Sequence, residues 1–321
     1  MAPKRRGRPV HGWIVLDKPA GMSSAAAVAA VRRALGAAKA GHGGTLDPLA
    51  TGVLPIALGE ATKTMAWAIE GWKDYAFSLR WGEARDTDDA EGAVVATSDV
   101  RPTRDAIEAA LPAFVGTIMQ RPPSFSALKV AGERAYDLAR DGMPPDLAPR
   151  PIAVDSFRLL AMPDPDHARF AVRVGRGAYV RALARDLGTA LGSVAHVVEL
   201  RREAVGRFRL ERAISLENLV ALGHSAAASE YLLPVETALD DIPALALTEE
   251  EAHALRCGRT VTPLRPAERA RLDHIGDGAT LCATRGGRLV ALCEVAAGGL
   301  RPVRVLNLDA WEPIDVDNRH A

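Results

Sequence analysis

From Lys73 to Trp81 the chain places Tyr75, Phe77, Leu79 and Trp81 on one parity and Ala76, Ser78 and Arg80 on the other. Apolar residues at a period of two specify a strand with one buried face and argue against a helix there. Phe170, Val172 and Val174 repeat the pattern. A buried strand face needs a covering layer, and helical patterns supply one. Val28, Val31 and Leu35 follow the capping pair Ser23 and Ser24 and stop at Gly36; Ile107, Ala110, Leu111 and Phe114 follow Thr103; Val180, Leu183, Ala184, Leu187 and Leu191 share the face of a third helix. Strands and helices mix without regular βαβ alternation. The expected fold is α+β, with a mixed, mainly antiparallel sheet and flanking helices.

Trp13 to Leu16 reads as a short strand that ends at the turn Asp17-Lys18-Pro19-Ala20-Gly21. A glycine-rich loop is expected over residues 41–52, another loop from Pro144 to Pro151, and a less ordered passage from Ala226 to Pro243. Beyond it, residues 279–308 form three short apolar runs separated by Gly286-Gly287 and Gly298-Gly299, as hairpins of a small β-barrel would. The chain therefore divides into a basic tail (1–10), a large domain (11–235) and a C-terminal domain (243–313).

No apolar run approaches the roughly eighteen residues of a membrane span, and the start Lys4-Arg5-Arg6-Gly7-Arg8 lacks the apolar stretch of a secretory signal, so a cytoplasmic protein is expected. Cys257, Cys282 and Cys293 are odd in number and widely spaced, which supports neither a disulfide framework nor a zinc knuckle; they read as small core residues. The His-x-Glu and Pro-Cys-x-x-Cys pattern of zinc deaminases is missing. Net charge is zero, with 40 basic and 40 acidic residues, but residues 1–50 carry eight Lys and Arg against Asp17 and Asp47 alone. That excess suits a polyanion-facing surface. On charge alone, a basic tail with solvated helix faces explains it at least as well.

In Gly41-His42-Gly43-Gly44-Thr45-Leu46-Asp47-Pro48-Leu49-Ala50-Thr51-Gly52 the glycines permit close approach of backbone, and Pro48 biases Asp47 toward an extended conformation. A carboxylate is thereby presented on a stiffened turn. The loop lacks the Gly-Lys-Ser/Thr ending of a phosphate-binding loop and does not fit the dinucleotide fingerprint. Taken alone, an Asp-Pro turn with purely geometric glycines accounts for it.

This segment is similar to the GHxGxLDPxAxGxL motif of the TruB-type pseudouridine synthases, the family of the bacterial tRNA uridine 55 enzymes and dyskerin. Further segments carry the resemblance: Leu16-Asp17-Lys18-Pro19, Gly21-Met22-Ser23-Ser24, Leu58-Gly59-Glu60-Ala61-Thr62-Lys63, Lys73-Asp74-Tyr75, residues 86–92, Pro122-Pro123-Ser124-Phe125-Ser126-Ala127-Leu128-Lys129, Gly177-Ala178-Tyr179-Val180-Arg181 and residues 196–202. Together they span nearly all of residues 11–203. Gly43 stands where bacterial members commonly have threonine.

The resemblance implies cleavage of the N-glycosidic bond of a uridine in the TΨC arm of tRNA, rotation of the held uracil and reattachment through carbon 5, without cofactor or metal. It makes Asp47 the essential carboxylate, acting either by covalent attack or by removing a ribose proton. Arg181 would pair with Asp47, and Tyr75 would stack on the target base. Tyr179 and Leu200 would line the uracil pocket, and His42 would fill the space left by the flipped base. Lys18 would support the active-site loop or contact phosphate, and Lys129 would lie near the RNA cleft. Arg201 and Arg202 suit phosphate contacts or solvated ends. By periodicity alone, Tyr75, Tyr179 and Leu200 pass as core residues, and Arg181 as a solvated residue of a helix's first turn. The C-terminal segment resembles a PUA-type barrel, giving at most an auxiliary contact to tRNA. The expected enzyme is a monomer. The competing classes are a non-catalytic RNA-binding protein on the same scaffold and an unrelated hydrolase, but the chain shows no G-x-S-x-G elbow or second catalytic carboxylate motif.

Overall fold

The apolar run at Trp13 becomes the strand Gly12–Lys18, which pairs antiparallel with Thr51–Leu58 along its whole length, from Gly12 opposite Leu58 to Lys18 opposite Gly52. In this computed structural model residues 7–308 are described, except Ala127, Ala131, Pro144, His224, Leu264 and the side chains of Arg134, Ala226 and Asp273. The basic residues Lys4, Arg5 and Arg6 of the expected tail, and positions 309–313 of the expected C-terminal domain, lie outside the described residues.

The main sheet runs, from edge to edge, Ile214–Ser215, Gly12–Lys18, Thr51–Leu58, Ala195–Val205, Lys73–Trp81, His167–Val174, Arg150–Asp164 and Gly116–Gln120. Two of these pairings are parallel, Gly12–Lys18 with Ile214–Ser215 and Thr51–Leu58 with Ala195–Val205; the others are antiparallel. The fold is thus α+β with a mixed, mainly antiparallel sheet. Alternation decides its faces. Tyr75, Phe77, Leu79 and Trp81 point into one core with Phe170, Val172 and Val174, and Phe77 and Phe170 stack with ring centroids 5.3 Å apart. The helices Ser24–Ala34, Arg104–Ala110, Val180–Ala190 and Leu216–Leu222 cover that core through Ala27 and Val31, Ile107, Leu183 and Leu187, and Leu219. Ser23 and Thr103 cap as their sequence positions imply, accepting from Ala26 N and Ala106 N.

A second core lies on the other face, where Trp13, Val15, Val53 and Phe208 meet Val235 and Leu239. The passage expected from Ala226 to Pro243 is therefore packed against the sheet. Leu233 pairs with Trp13, and the Trp13 indole N–H donates to the Val235 carbonyl at 3.3 Å. Burying these side chains outweighs the local turn composition that made the stretch look unstructured. The same core receives Cys282, Leu289, Leu292 and Leu306 from the C-terminal unit. There the three expected runs form the strands Thr280–Arg285, Arg288–Ala296 and Gly299–Val305, with Ala244–Ala246 added in parallel at one edge.

Three local expectations are corrected. The strand Arg150–Asp164 begins inside the loop expected up to Pro151, with Pro151 opposite Met119 of the edge strand Gly116–Gln120. The loop expected over 41–52 is shorter, since Gly41 and His42 end one strand and Thr51 and Gly52 open the next. Cys257 is exposed, whereas Cys282 and Cys293 are buried. No helix among the described residues is long and apolar enough to cross a membrane.

Gly52 sits where the Thr51 strand crosses Ala195–Val205, at φ +98°, and a Cβ there would stand 2.1 Å from the Arg202 carbonyl oxygen. Gly52→Ala is expected to cost at least about 2 kcal/mol in urea denaturation, since it combines a backbone clash with a left-handed conformation.

Candidate active site

Asp47 lies in the turn between Ala40–His42 and Thr51–Leu58, and side chains from elsewhere hold that turn by its backbone. Lys18 has no exposed surface, and its Nζ donates to the carbonyls of Pro19 at 2.8 Å, Met22 at 2.7 Å and Pro48 at 3.3 Å. Arg202, equally buried, donates to Val53 at 2.8 Å, Gly44 at 3.0 Å and Thr45 at 3.3 Å. Ser24 Oγ donates to the Leu46 carbonyl at 2.9 Å and accepts from the Leu46 N–H at 2.8 Å. Ala50 N donates to the Asp47 carbonyl, and Gly21 N to that of Pro48. Residues 44–48 thus each carry a backbone anchor, which fixes where the Asp47 side chain departs.

The carboxylate meets Arg181, the second residue of the helix Val180–Ala190, with Nε 2.8 Å from Oδ2. The Arg181 side chain is 4% exposed and the Asp47 side chain 32%, so the cation is enclosed while the carboxylate keeps an open side. The remaining guanidinium donors reach the carbonyls of Thr87 at 2.6 Å and Phe125 at 3.0 Å, and Asp89 Oδ2 stands 3.4 Å from Nε. Burial opposes the charge on Arg181, but the Asp47 and Asp89 carboxylates outweigh it and raise its pKa above the ordinary arginine value. Arg185, one turn on, pairs with Asp88 at 2.8 Å. Burial pushes Asp88 up to about 6 despite Arg185 and Arg181.

Asp47, Tyr75, Tyr179, Arg181 and Leu200 line one cavity of about 230 Å³, together with Lys73 and Ile69. That is smaller than the roughly 300–1,000 Å³ of sites for drug-sized ligands and suits a single flat ring with part of a sugar. Tyr75 is 9% exposed and stands in register between Val172 and Arg202. Of the other expected residues only Arg202 borders this cavity. His42 is half-buried beside the loop and outside the cavity lining; burial, then Arg202, lowers its pKa, and its Nδ1 has no hydrogen-bond partner. Lys18 spends its ammonium on loop carbonyls, and Lys129 stands exposed in the short hairpin of Lys129–Val130 with Glu133–Arg134. The phosphate contact expected for Arg202 is excluded by its burial, while Arg201 pairs with Asp17 at 2.8 Å and remains partly exposed.

Lys73 was not singled out for the site. It lines the cavity and donates to the carbonyls of Ile69 and Gly71, and burial, then Arg202 and Arg176, lowers its pKa to about 8. Its signals in the sequence are its position opening the Tyr75 strand and its place in the resembling segment Lys73-Asp74-Tyr75.

A carboxylate anchored by a guanidinium, open on one side and facing a tyrosine ring in an apolar cleft, is a site for acid–base or nucleophilic work on a small planar substrate. The chain as a whole is similar to known proteins. Residues 32–180 match the TruB family pseudouridylate synthase (N terminal domain), and residues 181–240 match the tRNA pseudouridylate synthase B C-terminal domain. The tRNA pseudouridine synthase B of Gluconacetobacter diazotrophicus is 57% identical over 306 residues, covering 94% of this chain and 99% of that protein. The chain belongs to the TruB family of pseudouridylate synthases. The tRNA pseudouridine synthase B of Rhodospirillum rubrum is 53% identical over 96% of this chain and 100% of that protein. Among solved structures, a Cbf5-Nop10-Gar1 complex is similar at 29% identity and a TM-score of 0.68, covering 88% of this chain and 78% of that one. A chain of an archaeal box H/ACA sRNP Nop10-Cbf5 complex is similar at 26% identity and a TM-score of 0.67, covering 95% and 92%. Like the enzymes of its family, this TruB-family chain is an isomerase.

Burial lowers Lys18 as well as Lys73 from 10.5 to about 8, with Asp47 opposing the shift at Lys18. Between those pH values the unfolded chain binds more protons than the folded one, so each lysine makes stability rise with pH. In urea denaturation from pH 8 to 10.5, Lys18→Met is expected to show a shallower rise than the parent protein.

Proposed function

We propose that this enzyme converts uridine 55 in the TΨC arm of tRNA to pseudouridine, with Asp47 as its essential carboxylate. The observation that carries this reading is the Asp47 carboxylate, fixed by Arg181 yet open toward a cavity walled by Tyr75. A uridine inside a folded RNA arm exposes neither its glycosidic carbon nor C5 adequately, so it must leave its stack, at a cost of about a few kcal/mol. The Tyr75 ring then offers the extruded base a π-face on which it can both bind and turn. Leu200 and Tyr179 close the sides of the same cavity, and His42, behind the loop, fills the vacated position in the RNA.

Arg181 orients the Asp47 carboxylate through its Nε–H, and both chemical routes need that carboxylate held in place. In one route the carboxylate attacks the nucleoside covalently; in the other it takes a ribose proton and leaves a glycal-like sugar. Either way the bond between N1 and the ribose C1′ breaks and the uracil turns while held. A bond from C5 to C1′ then forms, and C5 loses its proton as N1 gains one. The reaction needs no cofactor. An enclosed cavity matters because the detached base has to stay until it recombines. The backbone anchors of residues 44–48 favour support of the loop as the role of Lys18, and Lys129, exposed, suits a phosphate contact.

In this reading the large domain, 11–235, carries the chemistry and acts as a monomer in the cytoplasm. The C-terminal unit, 243–313, is a PUA-like module making an auxiliary contact to the tRNA.

Tritium release from tRNA labelled at carbon 5 of uridine tests the reading. The parent protein should release label at one position of the TΨC arm, and Asp47→Asn should be slower by roughly 10³-fold or more while still binding tRNA. Release by neither, with RNA bound by both, would point to a binding protein without this chemistry.

A further inference from the structure

The stretch Gly177–Tyr179 forms one wall of the cavity, and two residues of neighbouring strands hold it. Gln120 ends the strand Gly116–Gln120 and is 1% exposed. Its Oε1 accepts from the Tyr179 N–H at 2.8 Å, and its Nε2 donates to the Tyr179 carbonyl at 3.1 Å. Only this orientation of the amide satisfies both bonds. A primary amide bonded to both backbone groups of one residue imitates strand pairing, and 59 residues separate the partners. Arg150, opposite Gln120 in the sheet register, donates to the Gly177 carbonyl at 2.7 Å and holds its guanidinium 5.5 Å from the centre of the Tyr179 ring.

Tyr179 is also the residue from which the Arg181 helix starts, and no side chain caps that helix. The chain just beyond Gln120 completes the arrangement. The Arg121 carbonyl accepts from Arg185 at 2.7 Å, and the Phe125 carbonyl accepts from Arg181 at 3.0 Å. One strand end and the residues after it thus set both the Tyr179 wall and the two arginines of the helix.

We infer that Gln120 is a positioning residue, clamping the Tyr179 backbone so that the ring wall and Arg181 stand correctly against Asp47. This rests on the isomerase reading above. Gln120 touches no substrate; it acts through Tyr179 and the helix start. A displacement of about 1 Å at such a point can cost about 10²-fold in rate without loss of fold.

The test uses the full chain and carbon-5-tritiated tRNA with two variants. Gln120→Leu keeps the volume and removes both bonds. Its single-turnover rate at saturating enzyme is expected to fall about 10²-fold, with tRNA affinity unchanged within about threefold. Its Tyr179 amide should exchange with solvent roughly tenfold or more faster, while the amides of Leu187 and Thr189, later in the same helix, exchange as in the parent. Gln120→Glu keeps an acceptor for Tyr179 N but regains the donor only when protonated. Burial raises a carboxyl pKa, so its rate relative to the parent should climb as pH falls from about 8 to about 6. A merely structural residue produces no such pH dependence, and this variant carries the test if the leucine variant does not fold. A parent-like rate in Gln120→Leu, or a flat pH ratio in Gln120→Glu, overturns the inference. Amide exchange needs no turnover. An inactive parent would therefore count against the isomerase reading, whereas unchanged Tyr179 exchange in Gln120→Leu would count against the clamp.

Discussion

The contact between Arg181 and Asp47 is asymmetric, and the asymmetry organises the molecule around it. A guanidinium that is almost wholly enclosed loses its hydration and must recover it from fixed oxygens. Four oxygens do this: two carboxylates and the carbonyls of Thr87 and Phe125, drawn from three separate stretches of chain. The carboxylate of Asp47 gives one oxygen to the cation and leaves its other side toward the cavity. Removing Asp47 would leave the enclosed guanidinium to Asp89 and two carbonyls, whereas removing Arg181 would unmoor a carboxylate that still reaches solvent. The pair is therefore both a joint of the fold and the feature that makes a reactive group available.

The turn that presents Asp47 owes its shape to cations aimed at backbone. Lys18 and Arg202 belong to the strands on either side of Thr51–Leu58, and both point at peptide carbonyls of the turn. Hydrogen bonds from charged donors are each worth about 1.5–3 kcal/mol, about twice a neutral one, so two such side chains can hold a loop rich in glycine. The entropy that glycine would otherwise keep is removed by neighbours. Gly52 shows the same economy from the other direction, since its lack of a side chain lets the Arg202 backbone come close enough for its guanidinium to reach back to Gly44 and Thr45.

Much of the fold was legible in sequence because it follows local periods. The alternation at Tyr75, Phe77, Leu79 and Trp81 gave a central strand and its inward face, and Ser23, Thr103 and the glycine pairs at 286 and 298 marked caps and hairpins. The passage after Ala226 was misjudged because what orders it, Trp13 and the C-terminal core residues, lies more than two hundred residues earlier or some fifty later. The candidate site divides the same way. Asp47 stood out through its glycines and Pro48, but periodicity made Arg181 a surface residue, and only resemblance linked the two. Arg202 and Gln120 carry no legible sign of their parts, because a charged or amide side chain that bonds distant peptide groups leaves no local pattern; Lys73 shows only its place at the opening of the Tyr75 strand. Burial, the deciding fact for each, is a property of the assembled sheet.

That assembly has a temporal side. Arg181 follows Asp47 by 134 residues, and Arg202 follows Val53 by 149. Such separations make both contacts non-local, and forming each costs loop-closure entropy. A ribosome that has released Asp47 and Tyr75 has made the carboxylate and the ring, but not the cation that aligns them or the one that pins the turn. The strand Ala195–Val205 lies between Thr51–Leu58 and Lys73–Trp81, so the sheet beneath Asp47 and Tyr75 is joined only once that strand has been made. A chain broken off before that strand would hold Asp47 and Arg181 but lack Arg202, whose guanidinium holds the carbonyls of Gly44 and Thr45.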